Sequence, residues 1–184
     1  MASTIQVDKI QDTGGNTILS SNSTGTFTYV QGTGMGKVLQ VLQGSTTDTT
    51  TVSGTSYVDV SLSQAITPAS TSNKIFIMVY AFVGVPASGS GGDDHFLTLL
   101  RDSTNIGGAG SVDSDAYALI NETGGQYDGR YTTFTYLDSP SSTSAITYKI
   151  QMRNRNSSKT SYFNRRGGDT LSGISYITCM EVAG

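Results

Sequence analysis

Residues 74–85 read KIFIMVYAFVGV. In a strand, successive side chains point to opposite faces. Ile75, Ile77 and Val79 therefore share one side, and Phe76, Met78, Tyr80 and Phe82 share the other. Both sides are apolar, so both need cover. One suits the core of a sandwich. The other calls for a second layer, and packing of Phe76, Met78, Tyr80 and Phe82 against other copies around a three-fold axis is the expected solution. The alternative is cover from within the chain by loops 84–94 and 103–116.

The flanking sequence continues in the same style. ITYKIQMRN (146–154) alternates: Ile146, Tyr148, Ile150 and Met152 on one side, Thr147, Lys149, Gln151 and Arg153 on the other. That pattern fits a sheet with one wet face. TSYVDVSLS (55–63) places Val58, Val60 and Leu62 together. Further strands are expected at 37–43, 95–102, 116–120, 130–138, 160–164 and 173–182. Between them lie turn clusters such as ASGSGGDD, STNIGGAGS, DSPSSTS and RRGGDT. No segment keeps a helical apolar period over three turns. The expected fold is all-β, an antiparallel β-sandwich of jelly-roll type spanning 37–184, preceded by a short extended N-terminal stem over 1–36.

Composition agrees with that class. The 184 residues are 36% hydrophobic and 14% charged, with 22 Gly, 3 Pro and no Trp. A Ser/Thr/Gly-rich chain with many tyrosines favours strands and turns. The single cysteine, Cys179, excludes an internal disulfide and sits in the apolar pattern TCMEV. No apolar run is long enough to span a membrane, and the start lacks a secretion signature, so synthesis in a cytoplasm is expected. Net charge is −3, but residues 129–184 carry a surplus of four positive charges. A basic patch near the C-terminal loops is one reading, and solvated strand edges are the other.

The opening TIQVDKIQDTGGNTILSSNSTGTFT (4–28) holds short apolar alternations, with Ile5, Val7 and Ile10 in the first and Ile18 and Leu19 in the second. Each is too short to bury a core alone. Such a segment is stable when copies pack together or when it docks on a partner. QGTGMG (31–36) then reads as a hinge.

These stretches carry a family likeness. IQVDKIQDTGGNTILSSNSTGT resembles the N-terminal segments of bacteriophage virion proteins, especially tail-fibre and appendage proteins of marine phages. SYVDVSLSQAITPASTSNKIFIMVYAFVGV, LTLLRDSTNIG, FTYLDSPSSTSAITYKIQMRN and the ending ITCMEVAG resemble a globular head domain of such proteins. The resemblance implies a non-enzymatic virion component, commonly a homotrimer, anchored to other virion proteins by its N-terminal segment. A capsid decoration protein or a carbohydrate- or receptor-binding module is the alternative.

Chemical motifs are sparse. His95, the sole histidine, follows Asp93 and Asp94 at a strand start and is expected to be exposed. No G-x-S-x-G elbow accompanies it. The acidic pairs Asp93/Asp94 and Asp113/Asp115 form no calcium-loop string, and as a glycosidase carboxylate pair they lie in Gly/Ser loops. GTGMGK (32–37) lacks the phosphate-loop spacing. Asn22, Asn121 and Asn156 match the glycosylation pattern by chance. No catalytic residue, metal ligand or cofactor is therefore expected. Tyr117, Tyr127, Tyr131, Tyr162 and Phe163, with Arg130, Arg153, Arg165 and Arg166, offer the aromatic-plus-arginine chemistry of contact surfaces. Arg153, Tyr162, Arg165 and Arg166 are the candidate contacts to a host glycan or receptor. Nucleic-acid binding is not expected of an acidic chain without a basic-aromatic motif.

Overall fold

The computed structural model describes residues 8–21, 24, 27–29, 36–85, 93–107, 118–122, 128–167 and 171–184. The chain divides into two compact units, Met1–Lys37 and Val38–Gly184.

In the first unit, β1 (Lys9–Gln11), β2 (Thr17–Ser21) and β3 (Phe27–Tyr29) form an antiparallel meander. Its first turn is organised by Asp12, whose Oδ1 accepts from the backbone amides of Gly14 (2.9 Å) and Asn16 (2.8 Å). These bonds mimic a backbone turn. The Asn16 side chain and amide hold the Asp12 carboxyl below the usual range. Gly15, at φ 81°, takes the left-handed position that a residue with a Cβ disfavours. Ile10 and Ile18 are exposed and Leu19 is half-buried. Ile5, Val7 and residues 31–35 of the expected hinge lie outside the described residues.

The second unit is an antiparallel sandwich. Its strands are β4 (Val38–Thr46), β5 (Thr50–Ser53), β6 (Val58–Ile66), β7 (Lys74–Val85), β8 (Asp93–Arg101), β9 (Thr104–Asn105), β10 (Ala118–Glu122), β11 (Asp128–Asp138), β12 (Ile146–Asn154), β13 (Thr160–Phe163) and β14 (Ser175–Val182). β4-β14-β7-β11 forms the large sheet, extended by β13 and β5 beside the far end of β7. β6-β12-β8-β10 forms the small sheet, with β9 paired to β8. Along the chain the eight main strands pass between the sheets in the order that defines a jelly roll.

Alternation sets what faces inward. Ile75, Ile77, Val79, Ala81 and Val83 of β7 meet Ile146, Tyr148, Ile150 and Met152 of β12 in one core. Val60 and Leu62 join it, while Val58, at the start of β6, is exposed. Cys179 is fully buried there, and burial pushes its thiol up to about 12.

Three polar hubs pin the layers. Asp138 of β11 accepts from Arg101 of β8, with Nη1 3.0 Å from each oxygen, and from the Tyr148 hydroxyl of β12 at 2.6 Å. This ties the sheets together. Burial first, and the Asp138 carboxylate second, hold the Tyr148 hydroxyl protonated well above its ordinary range. Asn164, at φ 57°, is fully buried. Its side-chain amide donates to the carbonyls of Thr46 (2.9 Å) and Asp48 (3.1 Å), while its oxygen accepts from Ser175. Its backbone amide meets the Phe82 carbonyl at 2.9 Å. Glu181, also buried, accepts from the Ala69 amide (2.7 Å), Asn73 (2.6 Å) and Gln40 (2.6 Å). Burial works to raise its pKa, but bonds from Asn73, Gln40 and Ala69 outweigh it and hold the pKa below the ordinary carboxylate value.

Candidate functional site

The outer face of the large sheet is the surface that needs explaining. Cross-strand register builds it in rows. Val41, Met180, Phe76 and Leu137 lie side by side across β4, β14, β7 and β11. The next row is Gln43, Thr178, Met78 and Thr135, and the next Ser45, Tyr176, Tyr80 and Thr133. No charged side chain occurs in these rows.

At one end the aromatics interlock. Tyr80 stacks on Tyr131 with centroids 4.3 Å apart and planes 12° apart. Phe82 meets Tyr131 at 5.0 Å, and Tyr176 lies 6.5 Å from Tyr80. Such pairs stabilise neighbouring strands by roughly 0.5–1.5 kcal/mol each. An open groove of ≈ 300 Å³ runs between these strands, lined by Met78, Tyr80, Thr133, Thr135, Tyr176 and their neighbours.

The residues expected on this face divide. Met78 and Tyr80 are exposed and Phe76 is half-buried. Phe82 is buried, which corrects its assignment to a contact between copies. The cause is local: a Cβ on Gly129 would lie 2.5 Å from the Phe82 ring, and one on Gly173 equally close. Two glycines let backbone close over the ring, and Tyr131 covers its remaining side.

The small sheet's outer face differs. Asp59, Ser61 and Ser63 of β6 stand exposed, with Lys149 and Gln151 of β12 half-buried beside them. Lys149 Nζ pairs with Asp59 at 3.0 Å, and Gln151 donates to it at 2.8 Å. The bond from Gln151, then that from Lys149, lowers the Asp59 pKa. Ser61, at φ 57°, marks a bulge in this edge strand. Charge and a bulge are the devices that keep a sheet soluble.

The candidate receptor residues are scattered. Arg153 is on the outward side, as alternation requires, yet it is buried. Its guanidinium lies 4.1 Å from the Phe96 ring and 5.2 Å from that of Tyr57. Cation–π contact and the apolar stem suffice to pack an arginine this way, so Arg153 is no surface contact. Tyr162 and Arg165 are brought together, 4.0 Å from guanidinium to ring, which covers one face of that ring with the protein's own cation. Arg165 and Arg166 are half-buried, and Tyr131 belongs to the large-sheet face. The basic surplus is therefore not one patch, since Lys149 is ion-paired and Arg153 buried.

His95 is fully buried rather than exposed. Its Nδ1 lies 2.8 Å from Asn154 Oδ1, which also accepts from Ser161 at 2.6 Å, while Asn154 Nδ2 donates to the carbonyls of Val52 and Lys159. Because the amide nitrogen is spent on carbonyls, the amide oxygen receives, and Nδ1 is the protonated imidazole nitrogen. The cluster joins strands and holds no nucleophile–base pair. Asp93 and Asp94 open β8, opposite Glu122 and Asn121, rather than lying in a loop. Asp113, Asp115, Tyr117 and Tyr127 are outside the described residues. Among the described residues, no three His, Cys, Asp or Glu side chains group as metal ligands. No described helix is long and apolar enough to cross a membrane.

No protein-family model and no curated protein matches the sequence. Among solved structures, the chain is similar to one in the T13 particle of IBDV, at TM-score 0.43 and 10% identity over 88% of this chain and 40% of that one. It is similar also to one in the infectious bursal disease virus VP2 subviral particle, at TM-score 0.36 and 10% identity over 88% and 42%. The chain thus spans less than half the length of those it matches.

Proposed function

We propose that this chain is a non-enzymatic structural protein of a bacteriophage virion: a fibre or appendage subunit that works as a homotrimer. The N-terminal unit attaches it to other virion proteins and the jelly roll projects. The observation that carries the reading is the contrast between a fully packed sandwich and three successive uncharged rows on an outer sheet face left open on one copy. Monomeric soluble proteins rarely expose large contiguous apolar patches, whereas subunits of assemblies do. The family resemblance of the opening and of the ITP-x-S-x-S-x-K-I element supports the virion context. Exposed Ile10 and Ile18 on the small meander suit docking, with Leu19 beside them and Ile5 and Val7 just upstream. Tyr162, Arg165 and Arg166 remain the residues proposed to meet a host surface.

The test is direct. Mass spectrometry of purified particles should find the protein at fixed stoichiometry, and imaging should place it at a three-fold position. Particles of wild-type composition and infectivity lacking this chain would refute the reading.

A further inference from the structure

We infer that the large sheet's outer face is covered by other copies of this chain, each turning that face toward the axis they share. The inference rests on the assembly reading above and names the surface that assembly uses. Val41 is 54% exposed, Leu137 49%, Tyr131 44%, Tyr80 41% and Met78 39%, and they lie on adjoining strands. An aromatic side chain alone offers roughly 150–250 Å². Two half-open tyrosines, three aliphatic side chains and the intervening threonines therefore present several hundred Å², the same order as the about 800 Å² per partner of a standard interface.

The chemistry selects the partner. A foreign protein is commonly selected by complementary charge, and these rows hold none. A sugar needs convergent polar groups, but the Gln43 amide is already committed to Thr178 at 3.0 Å, and the Tyr80 and Tyr131 rings are stacked on each other. An apolar sheet face with no charge in these rows suits another copy's sheet, because two sheets pack face to face at about 10 Å by interdigitating apolar side chains. In a cyclic trimer every copy turns the same patch toward the three-fold axis, so the other copies supply the cover.

Sedimentation velocity on the full chain and on Met78→Glu, Leu137→Glu and Ser63→Glu tests this. Far-UV circular dichroism and melting check that each variant folds. Met78 and Leu137 are exposed, so a charge is tolerated in a single copy but buried and unpaired between two. Each should weaken association at least about tenfold, equivalent to roughly 1.4 kcal/mol. Ser63→Glu, on the small sheet, should not. Folded glutamate variants that associate as wild type does would overturn the inference while leaving the virion reading intact. A wild-type chain that stays monomeric at about 100 µM, far above a typical micromolar dissociation constant, would overturn it too. Absence from particles would refute the virion reading and leave the contact standing.

Discussion

The two outer faces of the jelly roll are made by the same alternation and end differently. On the small sheet, Asp59, Lys149, Gln151 and Ser63 meet water, and a bulge at Ser61 interrupts the edge strand. On the large sheet, three successive rows across four strands carry no charge. The inner sides of both sheets are packed to near-zero exposure. The difference is therefore not a matter of core stability. It separates a face that carries charge and a bulge from one that carries neither in its three central rows.

The open face is braced at one end from within the chain. The hub at Asn164 does this, joining the β4–β5 turn, β7 and β14. Asn164→Ala removes the side-chain bonds and puts a Cβ-bearing residue without compensation at positive φ. It should cost about 3 kcal/mol, read by chemical denaturation of the Leu137→Glu background so that association does not mask it. A loss under about 0.5 kcal/mol, the range of ordinary surface changes, would show that the face does not depend on the hub.

Glu181 anchors the other end of the same sheet. Its folded pKa is lowered, so its contribution is present above the unfolded value of about 4.3 and is lost as pH falls through the folded one. Glu181→Gln should cost about 1–3 kcal/mol at neutral pH, because one of three donors then faces another donor. It should also flatten the loss of stability below that value. An unchanged acid limb in denaturation curves would contradict the assignment.

Gly173→Ala sharpens the boundary of the face. The added methyl would meet the Phe82 ring, pushing it toward Tyr131. The expected cost is about 1–2 kcal/mol, with a change in near-ultraviolet dichroism from the displaced tyrosine. The smallest effect is expected on the wet face: Lys149→Ala breaks an exposed pair with Asp59 and should cost under about 0.5 kcal/mol.

How much of this the sequence shows depends on distance along the chain. Strand periodicity is local, and ITYKIQMRN and KIFIMVYAFVGV carry it plainly. The jelly-roll class is equally plain from them. Depth is not local. Arg153 and Lys149 share a side of β12, but only Arg153 finds rings from residues 57 and 96 around it. Met78 and Phe82 share a side of β7, but only Phe82 meets glycines 129 and 173. β5 (Thr50–Ser53) and β9 (Thr104–Asn105) are too short and polar to show a period. The hubs at Asn154 and Asn164 leave only a faint trace, an asparagine at the end of a strand, and their partners lie up to 118 residues away.

The central claim is that copies cover the large sheet and leave wet the part of the small one around Asp59, Ser63 and Lys149. Single engineered thiols report this directly, since Cys179 is buried and its thiol is pushed up to about 12. Maleimide labelling of Thr135→Cys and Ser63→Cys should be followed from nanomolar to high micromolar protein. The account predicts that the Thr135→Cys rate falls about tenfold as copies associate, while Ser63→Cys reacts at one rate throughout. Equal, concentration-independent rates at both positions would contradict it.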